Sequence, residues 1–306
     1  MSGSGSQTGT LDDSTRRRIG SHGQIGWSES GEHTGRADIP VERSGSASGR
    51  CTRWDAGIGR TLVVTSSSFV TSSGVEVPAV TADKMREVDR IAIEETGPNL
   101  YQMMENAGRN LAATTIRHLG PEWRDDTIVV LAGTGGNGGG GICGARHLAN
   151  RHGEVIVVVS DEPRLGEVPA QQLATYGGTN GRALGPGQLD DLHPALIVDA
   201  VIGYSLSGPP RGAALHMIEW ALNEEAPVLS LDVPSGIDST TGRAPGAHVI
   251  ASQTMTLALP KTGLDVAAVG DLWLADIGIP GETYRRAGLQ IPVGLFGDEF
   301  IVPISS

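Results

Sequence analysis

Two carboxylates, an amide, a hydroxyl and a lysine each follow an apolar run in this chain, and each lies among small residues. Asp199 ends the run LIVD and is followed by AVIGYSLSG. Asp232 follows VLSL and opens DVPSGIDSTTG, which carries Ser235. Lys261 lies in LALPKTG, and Asn137 interrupts GTGGNGGGG, Gly133 to Gly141. An acid inside an apolar strand is costly unless it is paired, hydrogen-bonded or metal-bound. Asp199 and Asp232 are therefore either structural carboxylates capping neighbouring loops or members of one site. The glycine run follows DTIVVLA and precedes ICGARHLANRH. Strand, glycine turn and helix in that order expose bare backbone N–H groups to a phosphate. Glycine also allows positive φ and puts no Cβ in a ligand's way. The plain alternatives are a flexible turn for the glycines and a snorkelling surface cation for Lys261.

Several chemistries lack support. Ser235 stands in VPSG rather than GxSxG, and no histidine is placed beside it by motif, so a hydrolase reading is poor. His193 and the pair Asp190/Asp191 read as a solvated turn. The two cysteines, Cys51 and Cys143, form no framework, and the eight histidines form no zinc pattern. The net charge of −12, without a Lys/Arg stripe, disfavours nucleic acid. No run approaches the 18 apolar residues of a membrane helix and no signal-peptide core is present, so the expectation is a cytoplasmic chain with no membrane partner.

The elements that must position these residues begin near Pro78. Residues 1–78 are rich in Ser, Gly, Thr and Arg and carry eight basic and eight acidic groups, whereas the remainder carries 15 and 27. The first segment reads as an extension that is disordered or was included by a wrong start site; residues 79–306 read as the folded domain. Thr81 can cap a helix with Met85, Val88 and Ile91/Ala92 on one face, and a second helix carries Met104, Ala107 and Leu111. Strands are predicted at 127–132, 154–160, 195–202, 227–232, 253–259 and 271–276, with helices at 140–151, 168–177 and 210–224. Near-continuous apolar strands are those of a parallel sheet covered on both faces. The expected fold is α/β: a Rossmann-like, doubly wound three-layer sandwich with a mostly parallel sheet. Its ligand would lie beyond the carboxyl ends of the strands.

Taken together, the loops resemble the NAD(P)H-hydrate epimerase family, the YjeF N-terminal domain, from about Met85 to Ile279. MREVDRIAIEETGPNLYQMMENAGRNLA resembles the family's two-helix start, and GTGGNGGGG stands in place of GxGNNGGDG. DAVIGYSLSG is similar to DAxFGTGLxG, DVPSGIDSTTG to DxPSGxxxxxG, and PKTG and ADIGIP follow in order. The resemblance implies a stand-alone isomerase that interconverts the R and S epimers of C6-hydrated NADH or NADPH. It would work beside a separate dehydratase, with a homodimer as the family's suggestion. It also implies a potassium ion held by Asn137, Asp199 and Ser235. The backbone of Gly136, Asn137, Gly138, Gly139 and Gly140 and the loop Gly203, Tyr204, Ser205, Leu206, Ser207 and Gly208 would hold diphosphate and ribose. Asp232 and Lys261 fall on substrate-binding positions, and Asp199 is the expected acid/base, since either ring opening or hydroxide loss at C6 needs proton transfer at oxygen.

The chain departs from the family at Gly136 and Gly140, which replace an asparagine and an aspartate, and at Ile202 and Tyr204, which replace Phe and Thr. The missing aspartate motivates one rival, a non-catalytic binding or scaffold module of the same fold. GTGGNG with Asp161/Glu162 beyond the second strand motivates another, an NAD-dependent dehydrogenase, which leaves the PSG and PKTG loops unexplained.

Overall fold

The computed structural model describes residues 68–306. Ten strands form one sheet: β1 (Ser68–Thr71), β2 (Glu76–Pro78), β3 (Thr127–Ala132), β4 (Glu154–Val159), β5 (Arg182–Leu184), β6 (Leu196–Ala200), β7 (Val228–Leu231), β8 (Gln253–Leu257), β9 (Asp271–Ala275) and β10 (Ile301–Ser305). Among the described residues six α-helices accompany them: α1 (Ala82–Ile91), α2 (Leu100–Leu119), α3 (Gly136–Ala149), α4 (Glu167–Tyr176), α5 (Gly212–Asn223) and α6 (Gly281–Arg286). The strand order is β2-β1-β10-β9-β8-β7-β6-β3-β4-β5. The seven strands from β9 to β5 are parallel, and β10, β1 and β2 continue the sheet antiparallel. From β3 the chain winds outward through β4 and β5; from β6 it winds the other way. The switch point therefore lies between the carboxyl ends of β3 and β6, where such folds hold ligands.

Strand alternation separates two covered faces. Ile128, Val130 and Ala132 of β3 pack with Ile142, Ala145 and Leu148 of α3, whereas Val129 and Leu131 pack with Met217 and Ile218 of α5. Toward the antiparallel edge, Leu272 and Leu274 join a third cluster with Val88 of α1 and Tyr284 of α6. Thr81 accepts from the Lys84 N–H to cap α1, and Asn99 with Gln102 forms a capping box on α2. Among the described residues no helix is long and apolar enough to cross a membrane.

The six predicted strands and the predicted helices are all present. Three expectations need correction. β1 and β2 lie within the segment assigned to the extension, so the sheet already includes Ser68–Pro78 and the boundary at 78 is too late. The rest of that segment, residues 1–67, lies outside the described residues. The three-residue β5 and the Pro-containing β10 were not expected. The glycine run is also more helical than a turn: α3 begins at Gly136, not at 140.

These glycines are required by close packing. A Cβ on Gly139 would lie 2.7 Å from Met104 Sδ of α2, and one on Gly141 would lie 2.5 Å from Ala200 Cβ of β6. In α2, a Cβ on Gly108 would lie 2.8 Å from the Gly144 nitrogen of α3. The helices thus meet closely, with Gly108 set against both the Cys143 side chain and the Gly144 backbone. Gly108→Val should destabilise the fold by about 1–3 kcal/mol through overpacking. Urea unfolding with an unchanged m-value would report it; wild-type stability would contradict this packing account.

Candidate functional site

A cavity of about 490 Å³ opens at the switch point. Its walls come from α1 and α2 (Met85, Asp89, Met103, Met104), the β3–α3 loop (Thr134–Asn137), the β6 loop (Val201–Ser205) and the ends of β7 and β8. Gly135 precedes α3 without a side-chain cap, so the first turn of the helix presents backbone N–H groups to an anion. The two loops interlock. A Cβ on Gly133 would overlap the Val201 carbonyl oxygen, and one on Gly203 would lie 3.1 Å from Asn137 Cγ.

Asp232 and Lys261 form a buried ion pair at the cavity wall, 3% and 1% exposed. Asp232 has φ +70°, a left-handed conformation that Asp tolerates better than most residues. Its Oδ1 accepts from Lys261 Nζ and from the Leu257 N–H (3.3 Å), and its Oδ2 accepts from the Tyr204 N–H (3.2 Å). Lys261 Nζ also donates to the Leu257 carbonyl (2.9 Å) and lies 5.8 Å from the centroid of the Tyr204 ring. The surface-cation reading of Lys261 is therefore excluded. Tyr204 Oη donates to Asp89 Oδ2 at 2.5 Å. Burial pushes the Asp89 carboxyl above its usual range, while the Tyr204 hydrogen bond and the Lys261 charge pull it down and Asp232 adds to the rise.

Asp199 is placed differently. Its side chain is fully buried and shares the sheet face of Ile197, which packs on the α5 side. Register sets it beside Ser230 in β7. Ser230 Oγ and the Ser235 N–H donate to Oδ2, both at 2.8 Å, and Ser235 Oγ and the Val201 N–H donate to Oδ1. Burial raises its carboxyl against these donors. Neither Asp199 nor Ser235 lines the cavity. The acid/base role expected of Asp199 thus has no geometric support here: four protein donors fill its acceptor positions.

Of the expected binding residues, Gly136, Asn137, Gly140, Gly203, Tyr204, Ser205, Asp232 and Lys261 line the cavity. Gly138 and Gly139 are packed instead against Gly133 and Met104, and Leu206, Ser207 and Gly208 lie off the cavity wall. Gly140 lines the cavity where the family has its aspartate, and a Cβ there would approach Leu231 Cδ2 at 3.0 Å. Sequence reasoning missed Asp89. It follows Met85 by four residues on the buried face of α1, and an acid at that position was the available signal.

The Met104–Gly108 stretch ties the helices to the site. Asn106 Nδ2 donates to the Ile277 carbonyl at 3.0 Å, joining two segments of the resemblance. Glu105 accepts from Arg146 (2.5 Å) and the Cys143 thiol (3.4 Å) and meets His147 Nε2 at 2.8 Å. Burial, with the Glu105 charge, pushes the Cys143 thiol up to about 12. Arg146 occupies both the carboxylate and the sulfur, so this cluster clamps α2 to α3.

Comparison with known proteins decides the family. Residues 100–263 match the YjeF-related protein N-terminus. The chain is 47% identical over 222 residues to the NAD(P)H-hydrate epimerase of Dehalogenimonas lykanthroporepellens, covering 72% of this chain and 91% of that one. The chain belongs to the YjeF-related N-terminal family. A second family relative, the NAD(P)H-hydrate epimerase of Truepera radiovictrix, is 36% identical over 69% of this chain and 94% of its own. The bifunctional NAD(P)H-hydrate repair enzyme Nnr of Salinibacter ruber is also 36% identical, over 69% of this chain and 42% of its own length. The crystal structure of the yeast protein YNL200c shares the YjeF-related fold with TM-score 0.65 at 23% identity, covering 74% of this chain and 100% of that chain.

In this family member the Asp232–Lys261 pair is a stability element as well as a wall of the cavity. Lys261→Met should destabilise by about 3–5 kcal/mol, because it leaves a buried carboxylate without its cation. The double variant Asp232→Asn/Lys261→Met should recover part of that loss. Additive losses in a denaturant-unfolding cycle would contradict direct pairing.

Proposed function

We propose that this chain is an NAD(P)H-hydrate epimerase, an isomerase that interconverts the R and S epimers of C6-hydrated NADH and NADPH. The observation that carries the reading is the switch-point cavity, with the uncapped N-terminus of α3 on one side and Asp89, Tyr204 and the Asp232–Lys261 pair on another. A helix N-terminus suits a diphosphate, and carboxylates facing the cavity suit proton transfer at a ring hydroxyl. The relatives named as epimerases are matched over most of their own length, which supports the same activity. A separate dehydratase that consumes one epimer is the functional partner, and the bifunctional relatives fit that coupling.

The same reading gives Asn137, Asp199 and Ser235 to a potassium ion. Their amide, carboxylate and hydroxyl oxygens form a donor set for a hard cation. Asn137 Nδ2 is buried with no hydrogen-bond partner, so an amide turned to present its oxygen to a cation loses no bond there. Ser235 Oγ now donates to Asp199; turned instead to the Ile202 carbonyl at 3.2 Å, its hydroxyl leaves a position on Asp199 Oδ1 open to a cation. The ion would neutralise charge near the diphosphate and join the loops after β3, β6 and β7.

Two measurements test these readings. Added to a mixture of both epimers with a dehydratase that uses one, the chain should accelerate consumption of the other. No acceleration favours the scaffold alternative. Replacing choline by K⁺ at constant ionic strength should raise the melting temperature of the wild type and not of Asn137→Ala. Equal melting of the wild type in both salts would remove the ion from the proposal.

A further inference from the structure

We infer that Asp89 is the residue that moves the proton at the C6 oxygen of the hydrated ring, and that the Tyr204 hydroxyl is its positioning group. The inference rests on the epimerase reading and deepens it. Asp89 lines the cavity from α1, on the same side as the Asp232–Lys261 pair, whose members follow β7 and β8. Asp232 is committed to Lys261 and two backbone N–H groups, and Asp199 is buried beyond the cavity wall. Asp89 alone of the three keeps an oxygen free of the bonds described: Oδ2 accepts from Tyr204, and Oδ1 takes the substrate proton.

Tyr204 orients that carboxylate and is itself held on several sides. Its backbone N–H donates to Asp232 (3.2 Å), and its ring lies 5.8 Å from Lys261 Nζ and 6.0 Å from the Arg86 guanidinium. The tyrosine replaces the threonine of the family pattern, so the positioning bond belongs to this chain's own sequence. The charged and titratable groups facing Asp89 are Tyr204 and Asp232 from the strand ends, Lys261 from the loop after β8, and Tyr284 from α6.

The step balances as a ring opening. Asp89 takes the proton of the C6 hydroxyl, C6=O forms and the C6–N1 bond breaks. The bonding pair goes to N1, which takes one proton from solvent for the one Asp89 gives up to it. Rotation about C5–C6 and the reverse sequence close the ring on the opposite face, with no net gain or loss of atoms or electrons. Asp89 must be ionised to act, so activity is present above its pKa and lost as pH falls through it. Removing the Tyr204 hydroxyl withdraws a donor that favours the ionised form, and the acid limb should then move to higher pH.

The test compares wild type, Asp89→Asn and Tyr204→Phe, all checked for wild-type melting, in the mixed-epimer assay across pH. Asp89→Asn should lower kcat by about 10²-fold or more. Tyr204→Phe should lose activity most at low pH, with its acid limb shifted upward. An active wild type with Asp89→Asn within threefold of it, or an unmoved acid limb in Tyr204→Phe, overturns this inference alone. A wild type that does not accelerate epimer consumption overturns the epimerase reading and this inference together.

Discussion

The site is organised around one buried carboxylate. Asp199 holds the Val201 N–H of its own loop, the Ser230 hydroxyl of the neighbouring strand and both polar groups of Ser235. Burying such a group is tolerable only because its acceptors are filled. Filling them fixes where the β6 and β7 loops start relative to each other. Ser235 Oγ extends the arrangement by accepting from the Ile202 N–H at 2.8 Å. From there the chain passes to Gly203 and Tyr204, whose positions set the distances to Asn137, Asp232 and Asp89. The carboxylate to which the sequence motifs point thus fixes the loops that build the site.

A second constraint is the exclusion of side chains where backbone must approach backbone. Gly108 against Gly144, and Gly133 against Val201, bring α2, α3 and the β6 loop closer than any residue with a Cβ allows. The glycine run serves two purposes at once. Gly135 and Gly136 are exposed at the cavity, whereas Gly138, Gly139 and Gly141 are buried against neighbours. This division accounts for the difference between the expected phosphate cradle and the smaller set of residues that line the cavity.

Much of the fold was legible because the parallel strands are nearly unbroken β-branched and aliphatic runs, and because Thr81 and the Met85/Val88/Ile91 spacing announce α1. β5 is three residues long and β10 contains Pro303, so neither carries a period. β1 lies in a serine-rich stretch whose alternation becomes visible only beside β10. The start of α3 was hidden by composition, since glycine is the poorest helix former after proline. Motif spacing brought the loops together correctly, but it cannot tell which face of a strand an acid occupies when both faces are covered. That is why the motifs point to Asp199 and not to Asp89, which lines the cavity one turn beyond Met85.

The composition of α3 also bears on how the site holds its shape. Six of its fourteen residues are glycine, each disfavouring helix by about 1 kcal/mol relative to alanine. Such a segment has almost no helical tendency of its own and acquires its shape from the surfaces of α2, β3 and β6. The end that would grip an anion therefore owes its order to the packed sheet and α2 rather than to local preference. A ligand bound there reinforces a helix the sequence barely favours, so occupancy and local order rise together.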